Sequence, residues 1–368
     1  MANLRREQDE RFMRRALKLA ARGAGRTWPN PAVGAVLVRK GEVVGEGWHR
    51  AAGLPHAEAV ALARAGRRAR GATLYVTLEP CAHDGRTPPC TRAVISAGVR
   101  RCVVGVRDPH AIVDGRGIAE LRSAGVRVDV GICAVAAREV LGGYWQRHAL
   151  GRPRVTWKIA ATLDGRIADA RGHARWITGP AARQRVHELR ATSQAVVIGA
   201  RTARRDDPRL TARGVDARRQ PLRVVCDTRL RLPLTLRLFS PGLARGTVVA
   251  CGAAAPVARE RALLARGIEV WRLPAGPHGI RPAALARRLA QRDCHEVLLE
   301  GGSALGTTWV RAGVVDRLML FAAPRLLGRG GLDWCGPLGA PRLETARSGR
   351  IESCESVGTD ALIVMRLD

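Results

Sequence analysis

The chain has 368 residues, enough for two domains of ordinary size, and 46% of them are apolar, so packed cores can form. No apolar run is long enough to cross a membrane as a helix, the arginine-rich start lacks the apolar segment of a secretion signal, and nine cysteines without framework spacing suit a reducing cytoplasm. The formal net charge is +30, yet Lys18, Lys40 and Lys158 are the only lysines; the charge is arginine spread along the chain, with no basic block or aromatic-interleaved basic segment of the kind that grips nucleic acid.

In chain order, residues 11–22 read as an amphipathic helix with Phe12, Ala16, Leu19 and Ala20 on one face. Residues 33–38 and 42–47 form a hairpin around Lys40-Gly41. A helix is predicted over 56–65, a buried strand over 72–78 and a helix over 91–97, opened by Pro88-Pro89. A strand over 101–106 and a helix over 117–124 follow. Around Leu150-Gly151-Arg152-Pro153 the pattern restarts, placing one domain at 1–150 and another at 151–368. In the second, strands are predicted over 154–161, 195–198, 222–227, 247–251, 269–273, 296–300, 317–322 and 362–367, with a helix over 179–189. Strands alternating with helices make both domains α/β, with helices on both faces of the sheet.

His56-Ala57-Glu58, then Pro80-Cys81, then Pro88-Pro89-Cys90, set one imidazole and two thiols at the edges of predicted elements. Zinc favours such donors, and three protein ligands leave a fourth position for water, the mark of a catalytic site. Water there becomes acidic enough to deprotonate near neutral pH. Glu58, two residues from the His56 ligand, is placed to take that proton and hand it to a leaving amine. Cys90 lies at a helix start, where the dipole favours thiolate.

The pattern resembles the H-x-E…P-C-x-x-C signature of zinc deaminases of nucleobases, except that eight residues, Ala82 to Pro89, separate the cysteines. With that insert, the stretch Thr27 to Gly34 and the spaced glycines of 41–47, the chain resembles the bifunctional deaminase–reductase family of riboflavin biosynthesis. The resemblance implies an N-terminal cytidine-deaminase-like α/β/α domain and one zinc ion per chain. It also implies a substrate, 2,5-diamino-6-ribosylamino-4(3H)-pyrimidinone 5′-phosphate, whose C2 amine is released as ammonia, and assigns Asn30, His49 and His83 to holding it. The chain departs from the family at Trp28, at His110-Ala111 after Asp108-Pro109, and at Leu141-Gly142-Gly143-Tyr144, which lacks an Asn before Gly-Phe.

The likeness continues through Lys158 to Ala168, Trp176 to Gly179 and Arg201 to Arg213. It implies a C-terminal α/β domain similar to dihydrofolate reductase, in keeping with the missing G-x-G-x-x-G. The implied cofactor is NADPH, contacting Ala160, Trp176, Thr202, Asp206, Thr228 and the turn Gly302, Ser303, Ala304, Leu305, Gly306, Thr307 and Thr308. That turn joins a strand to a helix, where free N–H groups meet phosphate. Ala174, Arg190, Leu210, Arg213 and Glu300 are the implied substrate contacts, the two arginines suiting a ribose phosphate. Asp206 is the first candidate for proton transfer, before Lys158 and Glu300. The expected partner is a phosphorylated small molecule, not nucleic acid or a membrane, with the chain as a cytoplasmic homo-oligomer. An alternative remains open: a nucleic-acid deaminase with a non-catalytic C-terminal module.

Overall fold

Strand-forming runs and helical periods both become real elements in a computed structural model, which describes residues 2–85, 88–217 and 219–368. Two compact units divide between Gly151 and Arg152. Among the described residues no helix is long and apolar enough to cross a membrane.

The N-terminal unit runs α1 (Ala2–Ala21), β1 (Gly34–Arg39), β2 (Glu42–Trp48), α2 (Ala57–Ala65), β3 (Thr73–Leu78), α3 (Cys90–Ser96), β4 (Arg101–Val106), α4 (Arg116–Ser123), β5 (Arg127–Val130), α5 (Ala134–Leu141) and α6 (Gly143–Leu150). The sheet order is β2-β1-β3-β4-β5, with β1 antiparallel to both neighbours and β3, β4 and β5 parallel. Lys40 and Gly41 turn the hairpin with φ of 50° and 84°, the handedness a two-residue loop requires.

The spaced glycines of the second strand have a packing cause. A Cβ on Gly45 would stand 2.3 Å from the Ala61 carbonyl, and one on Gly47 2.6 Å from that of Ala57. Helix α2 meets this bare strand with buried Ala57, Ala61 and Ala65. Backbone lies almost on backbone, which sets how deeply the first turn of α2 sits. Gly34 does the same for α1, since its Cβ would fall 2.0 Å from the Ala16 carbonyl.

The C-terminal unit runs β6 (Arg154–Thr162), β7 (Arg166–Ala168), α7 (Pro180–Thr192), β8 (Ala195–Gly199), α8 (Ala200–Asp206), β9 (Leu222–Cys226), α9 (Pro241–Ala244), β10 (Thr247–Cys251), α10 (Val257–Leu264), β11 (Glu269–Arg272), β12 (Ala275–Gly276) and β13 (Gly279–Ile280). It continues with α11 (Pro282–Gln291), β14 (Glu296–Leu299), α12 (Ser303–Arg311), β15 (Arg317–Ala323), β16 (Leu332–Asp333), β17 (Gly349–Val357) and β18 (Asp360–Leu367). The main sheet is ordered β11-β10-β9-β8-β14-β6-β15-β18-β17, parallel from β11 to β15 and antiparallel beyond. From β6 the chain skips a place to β8, steps outward to β11, and returns as β14 between β8 and β6. Ligands of such sheets bind beyond the carboxyl ends of the strands, where the order reverses.

Candidate active sites

His56, expected as the first residue of the helix, is instead the N-cap just before α2, and Glu58 lies buried in its first turn. Cys81 follows β3, and Cys90 is the first residue of α3. His56 Nδ1 stands 3.6 Å from Cys81 Sγ and 3.3 Å from Cys90 Sγ, and the three donor atoms all lie within 4.8 Å of one another. Tetrahedral zinc with ordinary Zn–N and Zn–S bonds separates N from S by roughly 3.6 Å. The donors therefore fit zinc in type, number and spacing.

The cage is braced from outside. The backbone N–H of Cys90 donates to Cys81 Sγ at 3.4 Å, and the N–H and hydroxyl of Thr91 both donate to the Cys81 carbonyl, at 3.2 and 3.3 Å. Buried Glu79 accepts from the N–H groups of Asp108, Gly115 and Ile118 at 3.0–3.1 Å, which ties the β4–α4 loop to the end of β3. Gly117 must be bare, because its Cβ would sit 1.9 Å from the Pro80 carbonyl.

Burial pushes the Glu58 carboxyl up to about 7, the Cys81 charge pushes the same way, and His56 opposes both. The Cys90 thiol donates to Cys81, which draws Cys81 down to about 4 despite burial and raises Cys90. A divalent cation bound by both sulfurs takes them as thiolates, so its binding displaces whatever proton they carry.

Asn30 and His49 come to the same place. Asn30 Nδ2 lies 3.1 Å from His49 Nε2, and His49 Nδ1 lies 3.2 Å from the carbonyl of Pro55, the residue before the ligand His56. The two imidazoles meet edge to face at 5.2 Å. Burial lowers the His49 pKa. A neutral ring that donates from Nδ1 and accepts at Nε2 satisfies both contacts. His83 is exposed on the insert loop, where Arg92 pairs with Asp84 at 3.2 Å. Arg86 and Thr87 of that insert lie outside the described residues.

In the C-terminal unit, Arg190 on α7 grips Glu300 at the end of β14 through two hydrogen bonds of 2.6 and 2.7 Å. A third bond joins Arg190 to the Thr211 carbonyl at 3.2 Å. Burial raises the Glu300 pKa, but the charge and hydrogen bonds of Arg190 outweigh it and leave the group a carboxylate below its usual range. Lys158 faces this pair, and burial lowers its pKa. Arg213 bonds the Thr211 hydroxyl at 2.7 Å beside His187, a residue the sequence reading did not single out. Thus Arg190, Arg213, Glu300 and Lys158 gather, while Leu210 turns its side chain into the core at 1% exposure.

The other expected cofactor residues rim the carboxyl ends of the strands. Ala160 is on β6, Thr202 and Asp206 on α8, and Thr228 just past β9. The Thr202 hydroxyl lies 3.8 Å from where a Gly302 Cβ would be. Asp206 pairs with Arg205 at 3.1 Å, and Trp176 is 62% exposed on the loop after Ala174. Gly302, Ser303 and Ala304 form the start of α12. Gly306 and Thr307 instead face inward: a Cβ on Gly306 would lie 2.0 Å from the Trp157 ring, and Thr307 Oγ1 accepts from Gly336 N–H at 2.8 Å.

Two family models match the chain: the RibD C-terminal domain over residues 153–363, and the cytidine and deoxycytidylate deaminase zinc-binding region over 6–106. The riboflavin biosynthesis protein RibD of Aquifex aeolicus is 39% identical over 98% of this chain and 99% of its own length. The chain belongs to the RibD family. The Escherichia coli member is 38% identical, covering 97% of this chain and 98% of its own. A solved Acinetobacter baumannii RibD superposes with a TM-score of 0.84 at 36% identity, covering 99% of each chain. A Thermotoga maritima structure, described as a diaminohydroxyphosphoribosylaminopyrimidine deaminase/5-amino-6-(5-phosphoribosylamino)uracil reductase, gives 0.80 at 34% identity, covering 99% and 100%. As a RibD-family chain this one is a bifunctional deaminase and reductase of riboflavin biosynthesis, with a cytidine-deaminase-like unit followed by the RibD reductase unit.

Two of the chain's departures from the RibD family pattern turn out to be neighbours. The Tyr144 hydroxyl donates to the Asp108 carboxylate at 3.0 Å, and the His110 N–H bonds the same group at 2.9 Å. His110 in turn stacks on His148, with ring centres 4.2 Å apart. Burial lifts Asp108 to about 6 and drops His148 to about 4. The hydroxyl of Tyr144, which a phenyl ring lacks, adds a side-chain donor to the one this buried carboxylate receives from the backbone. Residue types alone marked the departures; their contact had no signal in the sequence.

Proposed function

We propose that the N-terminal unit hydrolyses the C2 amine of 2,5-diamino-6-ribosylamino-4(3H)-pyrimidinone 5′-phosphate. The C-terminal unit then reduces the ribosyl C1′, presented as the ring-opened imine, to a ribityl chain with NADPH. The His56–Cys81–Cys90 cluster with Glu58 buried beside it carries the first step. A zinc ion bound there supplies the Lewis acidity that makes water a nucleophile near neutral pH. Glu58, with its carboxyl close to neutrality, takes a proton from that water and returns it to the departing amine. Asn30 offers donor and acceptor to the pyrimidine edge, and His49 fixes the backbone before His56.

NADPH supplies the hydride of the second step. The start of α12 offers free N–H groups to its pyrophosphate, and the Arg213 region receives the substrate phosphate. Arg190, already bonded on three sides, holds Glu300 in place. The family match across residues 153–363 speaks for a reductase and against a passive module. The proposed setting is the cytoplasm, with the chain as a homo-oligomer acting on small molecules.

Metal analysis should find about one zinc per chain, lost in Cys81→Ser. Glu58→Gln should keep the zinc and lose ammonia release by about 10²-fold or more. NADPH oxidation on addition of the deaminated product, without RNA, tests the second step; its absence would reject the reductase reading.

A further inference from the structure

Helix α7 straps the loop 211–214 to itself with three side chains on one face, Gln184, His187 and Arg190, each three residues from the next. Gln184 donates to the Gly214 carbonyl at 2.8 Å, and Arg190 to that of Thr211 at 3.2 Å. His187, half-buried between them, reaches further. Its Nδ1 lies 3.1 Å from the Thr211 carbonyl, and its Nε2 lies 3.5 Å from Nη2 of Arg213. A guanidinium only donates, so Nε2 accepts there and the ring proton sits on Nδ1, aimed at the carbonyl. The Arg213 backbone N–H also approaches Nδ1, at the longer distance of 3.3 Å, and that atom cannot serve both.

Cations crowd this corner. Arg213 reaches the Thr211 hydroxyl at 2.7 Å and His187, but pairs with no carboxylate among the described residues. Burial, then Arg190 and Arg209, act against its charge. Glu300 also faces His187, but Arg190 already holds it through two bonds. Burial, Arg190 and Arg213 keep the imidazole below its usual pKa, against the pull of the Thr211 carbonyl and Glu300, so the free ring is neutral at pH 7. A second proton, on Nε2, would set an N–H against the Arg213 N–H with no acceptor between them. A phosphate oxygen is such an acceptor. Its charge offsets the neighbouring arginines, and both donors can then close on it.

We infer that His187 is a positioning residue that aims Arg213 in the free protein and, when the substrate phosphate arrives, takes a proton from solvent and grips that phosphate beside Arg213. This rests on the reading above that the Arg213 region receives the phosphate. Binding that raises a pKa takes up protons and strengthens as pH falls. Calorimetry of the full chain with ribose 5-phosphate, run at pH 7 in buffers of different ionisation enthalpy, counts the protons exchanged. His187→Gln keeps a donor and an acceptor but takes no proton, and the titration of the phosphate itself is common to both proteins. The parent should take up roughly 0.3–0.5 proton more per site than this variant. In turnover, His187→Ala should raise KM for the deaminated substrate about 10-fold at pH 6.5, with a smaller effect on kcat. His187→Gln should recover most of that loss at pH 8 and little of it at pH 6.5, a split that a merely structural role does not produce. Equal proton uptake in parent and His187→Gln, or a KM unmoved in His187→Ala while Arg213→Ala raises it, overturns the inference and leaves the phosphate site standing. A KM unmoved by Arg213→Ala overturns the site reading and the inference with it.

Discussion

Replacing Gly306 with alanine would place a methyl group 2.0 Å from two carbons of the Trp157 ring. Helix propensity alone predicts a gain of up to about 1 kcal/mol for this change. The packing predicts the opposite sign. Trp157 is 1% exposed, wedged among Val155, Leu299 and Trp309, and its indole N–H donates to the Gly301 carbonyl at 3.2 Å. It cannot step aside without losing that bond and disturbing its neighbours, so α12 must move instead. Overpacking of this kind costs typically 1–3 kcal/mol, and the lost hydrogen bond about 1 more. Set against the propensity gain, a net loss of about 1–3 kcal/mol lowers Tm by roughly 2–12 °C in a domain of this size. Scanning calorimetry of the full chain reads the shift. Trp157→Leu removes the crowding atoms, so the double variant should cost at least about 1 kcal/mol less than the two singles added. A Gly306→Ala protein that melts with or above the parent, or that weakens NADPH binding with unchanged Tm, would refute the packing explanation and return the glycine to the cofactor.

Asp9, buried and bonded to both Arg101 guanidinium nitrogens at 2.7 Å and to the Tyr75 hydroxyl at 2.8 Å, is a second test. Asp9→Asn should cost about 1–3 kcal/mol in urea unfolding, because it removes the buried one of Arg101's two charge partners and leaves the more exposed Asp129, paired at 2.6 Å. Glu300→Gln should stall the reductase, leave deamination intact and destabilise the fold at pH 7. The Glu300 pKa is lowered on folding, so its stabilisation is complete above the unfolded value of 4.5 and fades as pH falls through the folded one; melting curves of the variant should lose that acid-side slope. Gly47→Val should drive α2 off β2 and shift His56 and Glu58 together, seen as reduced zinc content on metal analysis in a chain that still folds.

The zinc donors were legible because donor chemistry is a property of residue type: one imidazole and two thiols at element edges have few other uses. The buried strands were legible for a similar reason, since β3, β4 and β10 are mostly apolar and buried almost throughout. Strand β17 was not, because it is exposed almost throughout and carries no alternating apolar signal. Helices α5, α10 and α11 went unread; α10 buries only Leu263 and carries no clear apolar stripe, whereas α11 carries one at Leu285, Ala286, Leu289 and Ala290. The spaced glycines of β2 were noticed as part of a family pattern, and only the contact with α2 explained them.

From sequence alone came the two-part α/β organisation, the metal donors with their acid, and the family. The tertiary structure decided which polar groups are already taken. Arg190 and Glu300 stand 110 residues apart and meet because β14 returns beside β8, next to α7. Around the turn after β9, Arg204 and Arg259 are held by the carbonyls of residues 230–232 and Arg272 by Glu260. Residue type sets what chemistry a side chain can do; whether it is free to do it depends on neighbours brought in by strand order, which no local pattern records.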